Sequence, residues 1–125
     1  GVQSFALPIY YGYSVSLASN LYFNVGCVLL DVTPIVIGRN ALLGPGVHIY
    51  AASHPMSAVE RQSGREFGSA VTIGDNVWIG GNAVICPGLT VGAGCVIGAV
   101  SVVTRAIPAG VFAAGNPCRV IRSIT

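Results

Sequence analysis

The segment SHPMSAVERQSGREF, residues 53–67, sets one imidazole, His54, among two carboxylates, Glu60 and Glu66, and two guanidiniums, Arg61 and Arg65. Histidine takes up and returns a proton near neutral pH, so His54 could act as a general base on a hydroxyl within hydrogen-bond reach. Pro55 follows it and restricts the backbone just before the ring. Glu66, or alternatively Glu60, could orient the imidazolium that forms, and both read equally well as solvated loop carboxylates. The other histidine, His48, reads as a wall or subunit-contact residue.

A second signal lies in where charge is missing. All six basic residues are Arg, against four acidic ones, for a net charge of +2, too little for a nucleic-acid-binding protein. After Asp75 no carboxylate occurs, while Arg105, Arg119 and Arg122 follow. Unopposed guanidiniums at one chain end suit a phosphorylated ligand, and they also suit mere solubility. Cys27, Cys86, Cys95 and Cys118 have no CxxC spacing and sit mostly among apolar neighbours, which reads as buried thiols in a reducing compartment.

The elements that hold these residues are regular. Residues 73–96 divide into IGDNVW, IGGNAV, ICPGLT and VGAGCV. Steps of six from Ile73 reach Ile79, Ile85, Val91, Ile97 and Val103, and an earlier series runs Ile37, Leu43, Ile49. The position four after each is small or modest, from Ala41 to Ser101. A helix would need apolar offsets of three and four, and its repeated Gly would cost about 1 kcal/mol each. The unit is therefore a short strand and a turn, with the β-branched residue inward. Hexapeptide periodicity is a β-helix signature, three units closing one triangular coil. Residues 73–90 and 91–108 are expected as two complete coils, 37–50 as most of an earlier one, and Leu17, Phe23 and Leu29 as a looser start.

The whole chain, 1–125, is expected as a single all-β domain, 53% hydrophobic and 8% charged. So little charge implies that much of the surface is uncharged or covered by partner chains. No long unbroken apolar run suggests a membrane span, and GVQSFALPIYYGYSV has no basic signal-peptide region, so a cytoplasmic location is expected. The repeat breaks once, at about 51–70, in a loop holding four of the ten charged residues and His54. Such a loop between rigid coils points to function.

Taken together, the hexapeptides, FNVGCVLLDVTPIVIG (23–38), HPMSAVERQSGREFG (54–68), VTIGDNVWIGG (71–81) and IPAGVFAAGNPCRVIR (107–122) resemble the left-handed β-helix acyltransferases. The similarity is to the maltose and galactoside O-acetyltransferases, the loop having the length of the maltose type. The resemblance implies a left-handed parallel β-helix with a protruding catalytic loop, and it puts the family's catalytic histidine at His54. It implies direct transfer from acetyl-CoA to a sugar hydroxyl, an amide of Gly80-Gly81 stabilising the oxyanion and Trp78 lining the site near His54. No covalent acetyl-enzyme is expected, since no cysteine adjoins His54 in sequence.

The same resemblance places Asn24 and Asp31 at the acceptor sugar. Asn24 inside an apolar run is costly unless satisfied, which independently suggests a role, a side-chain ladder along the coil being the alternative. Gly81, Ala99, Thr104, Arg105, Arg119 and Arg122 would bind the coenzyme, the last two meeting its 3′-phosphate end. The family commonly has Lys at the position of Arg105 and Gly at that of Val100. Its helical N-terminal segment is absent from these 125 residues. The resemblance also implies a homotrimer with acetyl-CoA between subunits.

Rival readings remain. A hexapeptide-repeat carbonic anhydrase needs three histidines, and with two here no metal is expected. A xenobiotic acetyltransferase of the chloramphenicol or streptogramin type shares fold and histidine but has a different loop. A non-catalytic β-helix interaction module is the alternative from another class.

Overall fold

The expected inward positions do point inward. In the computed structural model, which describes residues 2–4 and 14–124, Ile73, Ile79, Ile85, Val91, Ile97 and Val103 are at most 1% exposed. Ile37, Leu43 and Ile49 continue that column, and Ala41, Val47, Val77, Ala83, Cys95 and Ser101 fill the second inward position of each unit. Each unit sends an aliphatic side chain inward and turns at the next corner, so the core is one unbroken stack along the axis. Burying one such side chain contributes roughly 1.5–3 kcal/mol.

Three parallel sheets form the walls of this left-handed β-helix. Face A runs Val2–Ser4, Leu21–Phe23, Leu42–Leu43, Trp78–Ile79, Val96–Ile97 and Val111–Gly115, and ends on the antiparallel strand Cys118–Ser123. Face B holds Val28–Leu30, His48–Tyr50, Val84–Ile85 and Val102–Val103. Face C holds Val15–Leu17, Ile35–Ile37, Val71–Ile73 and Thr90–Val91. The chain visits them in the order C, A, B.

The coils are less uniform than the repeat suggested. One step is eighteen residues where Trp78 pairs with Val96 and Val84 with Val102. It is twenty where Tyr22 pairs with Leu42, because the corner DVTP is longer. It falls to sixteen where Val96 pairs with Phe112 and Val91 bridges Ile107. The expected coil 91–108 is thus two residues too long. The corner Thr104–Ala106 is shorter than its counterpart below, and Ile107 rather than Ala109 takes the inward place, 4% exposed.

Corners impose their own chemistry. Asn20, Asn40 and Asn76 adopt positive φ between faces C and A, and their amides link along the axis, Asn20 Nδ2 to Asn40 Oδ1 at 2.6 Å and Asn40 Nδ2 to Asn76 Oδ1 at 3.0 Å. Asparagine tolerates this conformation because its short polar side chain bonds locally. Between faces A and B the stacked corner residues are Gly26, Gly46, Asn82 and Val100, with φ of 78°, 70°, 60° and 61°. For a β-branched residue this geometry costs about 1–2 kcal/mol.

Among the described residues no helix is long and apolar enough to cross a membrane. No group of three His, Cys, Asp or Glu among them could hold a metal ion.

Candidate active site

The excursion leaves the prism at the corner between faces B and C. Ala52–Ser53 and Phe67–Gly68 pair antiparallel at its root, Ser53 facing Phe67. The pairing ends there, and His54 and Glu66 are the residues directly beyond it on the two strands. Both are exposed, and among the described residues the recorded ion pair is Arg39 with Asp75. Pro55 is buried and anchors the chain directly after the imidazole. The one-turn helix Ala58–Gln62 follows, with Ser57 Oγ accepting from the Glu60 amide. Arg61 returns from this helix to donate from Nη1 to the carbonyl oxygens of Pro55 and Met56, each at 3.2 Å. The helix buries no residue, and Met56 and Val59 are 97% and 79% exposed.

A groove of about 480 Å³ follows a different corner, between faces A and B. Its floor is Gly44, Gly80, Gly81, Gly98 and Ala99, and its walls include Trp78, Phe112 and, at one end, Asn24. Stacking explains the small residues. A Cβ on Gly80 would meet the Ala99 amide nitrogen at 2.5 Å, so coils could not close on each other there. The Gly80 amide donates to the Ile97 carbonyl at 2.8 Å, which leaves Gly81 as the oxyanion-donor candidate of that pair. A smaller hollow of about 280 Å³ continues along face A between Trp78, Val96, Phe112, Arg122 and Ile124.

The expected site residues thus fall into two groups. Trp78, Gly81, Ala99 and Asn24 share the groove, and Arg122 stands beyond it next to Trp78. Asn24 Oδ1 accepts from the Val25 amide at 2.7 Å, so its Nδ2 remains to donate. Arg119, exposed on the last strand, faces Ala114. His54, Glu66, Thr104 and Arg105 belong to the other corner and are all exposed. Asp31 lies at that corner too, beneath the root of the loop; it is fully buried and its Oδ2 accepts from the Ser14 amide at 3.1 Å. The expectation that Trp78 lines the site near His54 is therefore not met within one chain, because the two stand at different corners of the prism.

Phe112 and Arg61 escaped sequence reasoning. Phe112 continues the outward column Tyr22, Leu42, Trp78, Val96, but only a sixteen-residue step finds it. Arg61 looked like one more charge of a polar loop. The cysteines are all free, as expected. Burial pushes the thiols of Cys27, Cys86 and Cys118 up, opposed weakly in Cys27 by backbone hydrogen bonds and in Cys118 by Arg119.

Residues 70–105 match the model of the bacterial transferase hexapeptide family (six repeats). A maltose O-acetyltransferase from Clostridium difficile is 50% identical and superposes with a TM-score of 0.96, covering 99% of this chain and 66% of that one. A hexapeptide-repeat-containing acetyltransferase from Vibrio cholerae, solved with acetyl coenzyme A, is 35% identical with a TM-score of 0.93, over 99% of this chain and 70% of that one. The chain belongs to the hexapeptide-repeat acyltransferase family. The galactoside O-acetyltransferase of Escherichia coli is a further member, 44% identical over 119 residues, 94% of this chain and 59% of that protein. The chain spans about three fifths of the length of the curated relatives it matches, 62% and 61% for the first two.

Proposed function

We propose that the protein moves an acetyl group from acetyl-CoA to a hydroxyl of a small sugar such as maltose, glucose or a galactoside. The observation that carries this reading is the groove: a glycine floor, an exposed Trp78 wall and Arg122 at its carboxylate-free end. A thin arm fits the floor, an aromatic face suits its apolar length, and guanidiniums suit terminal phosphates. The relatives named for sugar acetylation and the neighbour solved with acetyl-CoA support the same choice.

His54 takes the proton of the sugar hydroxyl, and the oxygen attacks the thioester carbonyl carbon. The Gly81 amide stabilises the resulting oxyanion. Collapse expels the coenzyme thiolate, which receives the proton held by His54, and the acetyl ester leaves. Glu66, next to the ribbon's last paired residue as His54 is, orients the imidazolium. Asn24 at one end of the groove serves the acceptor, whereas Asp31, fully buried and accepting from the Ser14 amide, holds the corner beneath the loop and offers the acceptor no surface.

The two corners bring this chemistry together only between chains. Both flank face B, whose outward side chains include Val28, Leu30, Val84 and Val102, none charged. A closed three-fold ring turns face B inward and sets the loop of one chain over the groove of the next. The exposed Met56 and Val59 then find cover, and Thr104 and Arg105 meet the neighbour's coenzyme. Four free thiols fit a cytoplasmic setting.

The test is release of free coenzyme thiol from acetyl-CoA with a panel of sugars, amines and chloramphenicol. Sugar-dependent release that His54→Ala lowers at least about 10²-fold is expected. Release driven by amines or chloramphenicol but by no sugar would overturn the sugar assignment.

A further inference from the structure

At the corner beside the groove every described positive-φ position but one is a glycine or an asparagine. Gly46 has φ 70°, a conformation glycine adopts freely, and a Cβ there would also push the Asn82 side-chain oxygen aside. Gly44, Gly80 and Gly98 must lack one because a Cβ would run into Gly81, Ala99 and Ala114 of the adjoining coils. Asn82 tolerates its positive φ by type. Val100 shares the corner and the conformation, φ 61°, yet is β-branched and 69% exposed. Its amide donates to the Gly81 carbonyl at 2.9 Å, the bond that Asn82 makes to Pro45 one coil below at 2.8 Å. Any residue with a free amide makes that bond. Within the chain, nothing repays the isopropyl group.

Its position supplies a reason. Ala99, the residue before it, is part of the groove, between the Trp78 and Gly81 level and Phe112. Val100, the next residue at that corner, lies just beside the groove's lining, in the coil next to the arginine-bearing end. An apolar branch there meets the middle of a long ligand, remote from both its phosphates and its reacting carbonyl. We propose that Val100 is a coenzyme-binding residue that closes the rim over the uncharged arm of the thioester carrier, its strained backbone being retained for that contact. The inference rests on the coenzyme reading above. Strain retained where a ligand passes, at the expense of stability, is a recognised pattern of functional sites.

The test uses Val100→Asn, which repeats the residue type of Asn82 in the same column, and Val100→Gly, which repeats that of Gly46. Thermal melting is combined with calorimetric titration of CoA and of adenosine 3′,5′-bisphosphate, which lacks the arm. Val100→Asn is expected to melt about 2–6 °C higher as strain is relieved. Both variants are expected to bind CoA about five- to tenfold more weakly through the lost apolar contact, with bisphosphate affinity unchanged. Unchanged CoA affinity in both variants, or equal loss for CoA and bisphosphate, would overturn the proposal. Wild-type protein that binds neither ligand would instead remove the coenzyme reading itself.

Discussion

Arg61 Nη1 lies 3.2 Å from the carbonyl oxygen of Pro55, so a guanidinium from the loop's helix grips the backbone one residue after His54. The grip extends to Met56 at the same distance. Without it, the imidazole would be carried by a polar excursion whose helix buries nothing. Arg61→Ala is expected to lower kcat about 10–10²-fold, the loss of a charged hydrogen bond worth roughly 1.5–3 kcal/mol, with CoA affinity unchanged. Arg61→Lys should recover part of it. Steady-state kinetics beside CoA titration checks this, and a variant with wild-type kcat would leave Arg61 a surface charge.

Ile79 tests the scaffold. It is fully buried and paired on both sides, with Leu43 below and Ile97 above. Ile79→Ala is expected to destabilise by about 2–5 kcal/mol in denaturant melts, because neighbouring coils cannot collapse into the space. A loss below about 0.5 kcal/mol would contradict the stack, given that typical core truncations lie far above it.

Much of the scaffold could be read from the sequence, because a six-residue period fixes which side chain turns inward at every step. Ile73 to Val103 kept that register throughout, and Ser101 was found in its column although it is polar. What the period could not show was where it slips. The short corner Thr104–Ala106 shifts the last coil by two residues, and so hides that Phe112 belongs beside Val96 and Trp78. That His54 and Glu66 both adjoin the end of a ribbon, Ala52–Ser53 with Phe67–Gly68, is likewise marked by no periodicity. Corner identity is the third gap. That His54 and Trp78 stand at different corners follows from counting faces, which neither residue type reveals.

The terminal arginines give a ligand test. Arg122 flanks Phe112 across the final hairpin and borders the hollow with Trp78. Calorimetric titration is expected to show wild-type protein preferring CoA over dephospho-CoA. Arg119→Ala/Arg122→Ala should lose most of that preference, roughly 1.5–3 kcal/mol per charged contact. An unchanged preference would return both residues to solubility.

Thiol burial predicts an alkaline limit. The native thiols of Cys27, Cys86 and Cys118 are raised above 9.0 by burial. Once pH passes the ordinary value, the unfolded chain releases thiol protons that the native state still holds. This contribution to stability is complete below pH 9.0 and is lost as pH rises through the native values. Denaturation midpoints should fall above that pH, and replacing the three thiols by Ala should flatten the slope. A slope unaffected by the replacement would assign the decline to other groups.

The central claim, that one chain's His54 works in its neighbour's groove, is tested most directly by mixing two deficient variants at an acetyl-CoA concentration that saturates the wild-type groove and not the arginine-deficient one. Chains carrying His54→Ala are co-expressed with chains carrying Arg119→Ala/Arg122→Ala, and acetyl transfer by the purified mixture is measured. Random assortment in a three-fold ring pairs an intact groove with an intact His54 at about a quarter of interfaces, so activity near that fraction of wild type is expected. A mixture no more active than its two parents would contradict shared sites and return the chemistry to single chains.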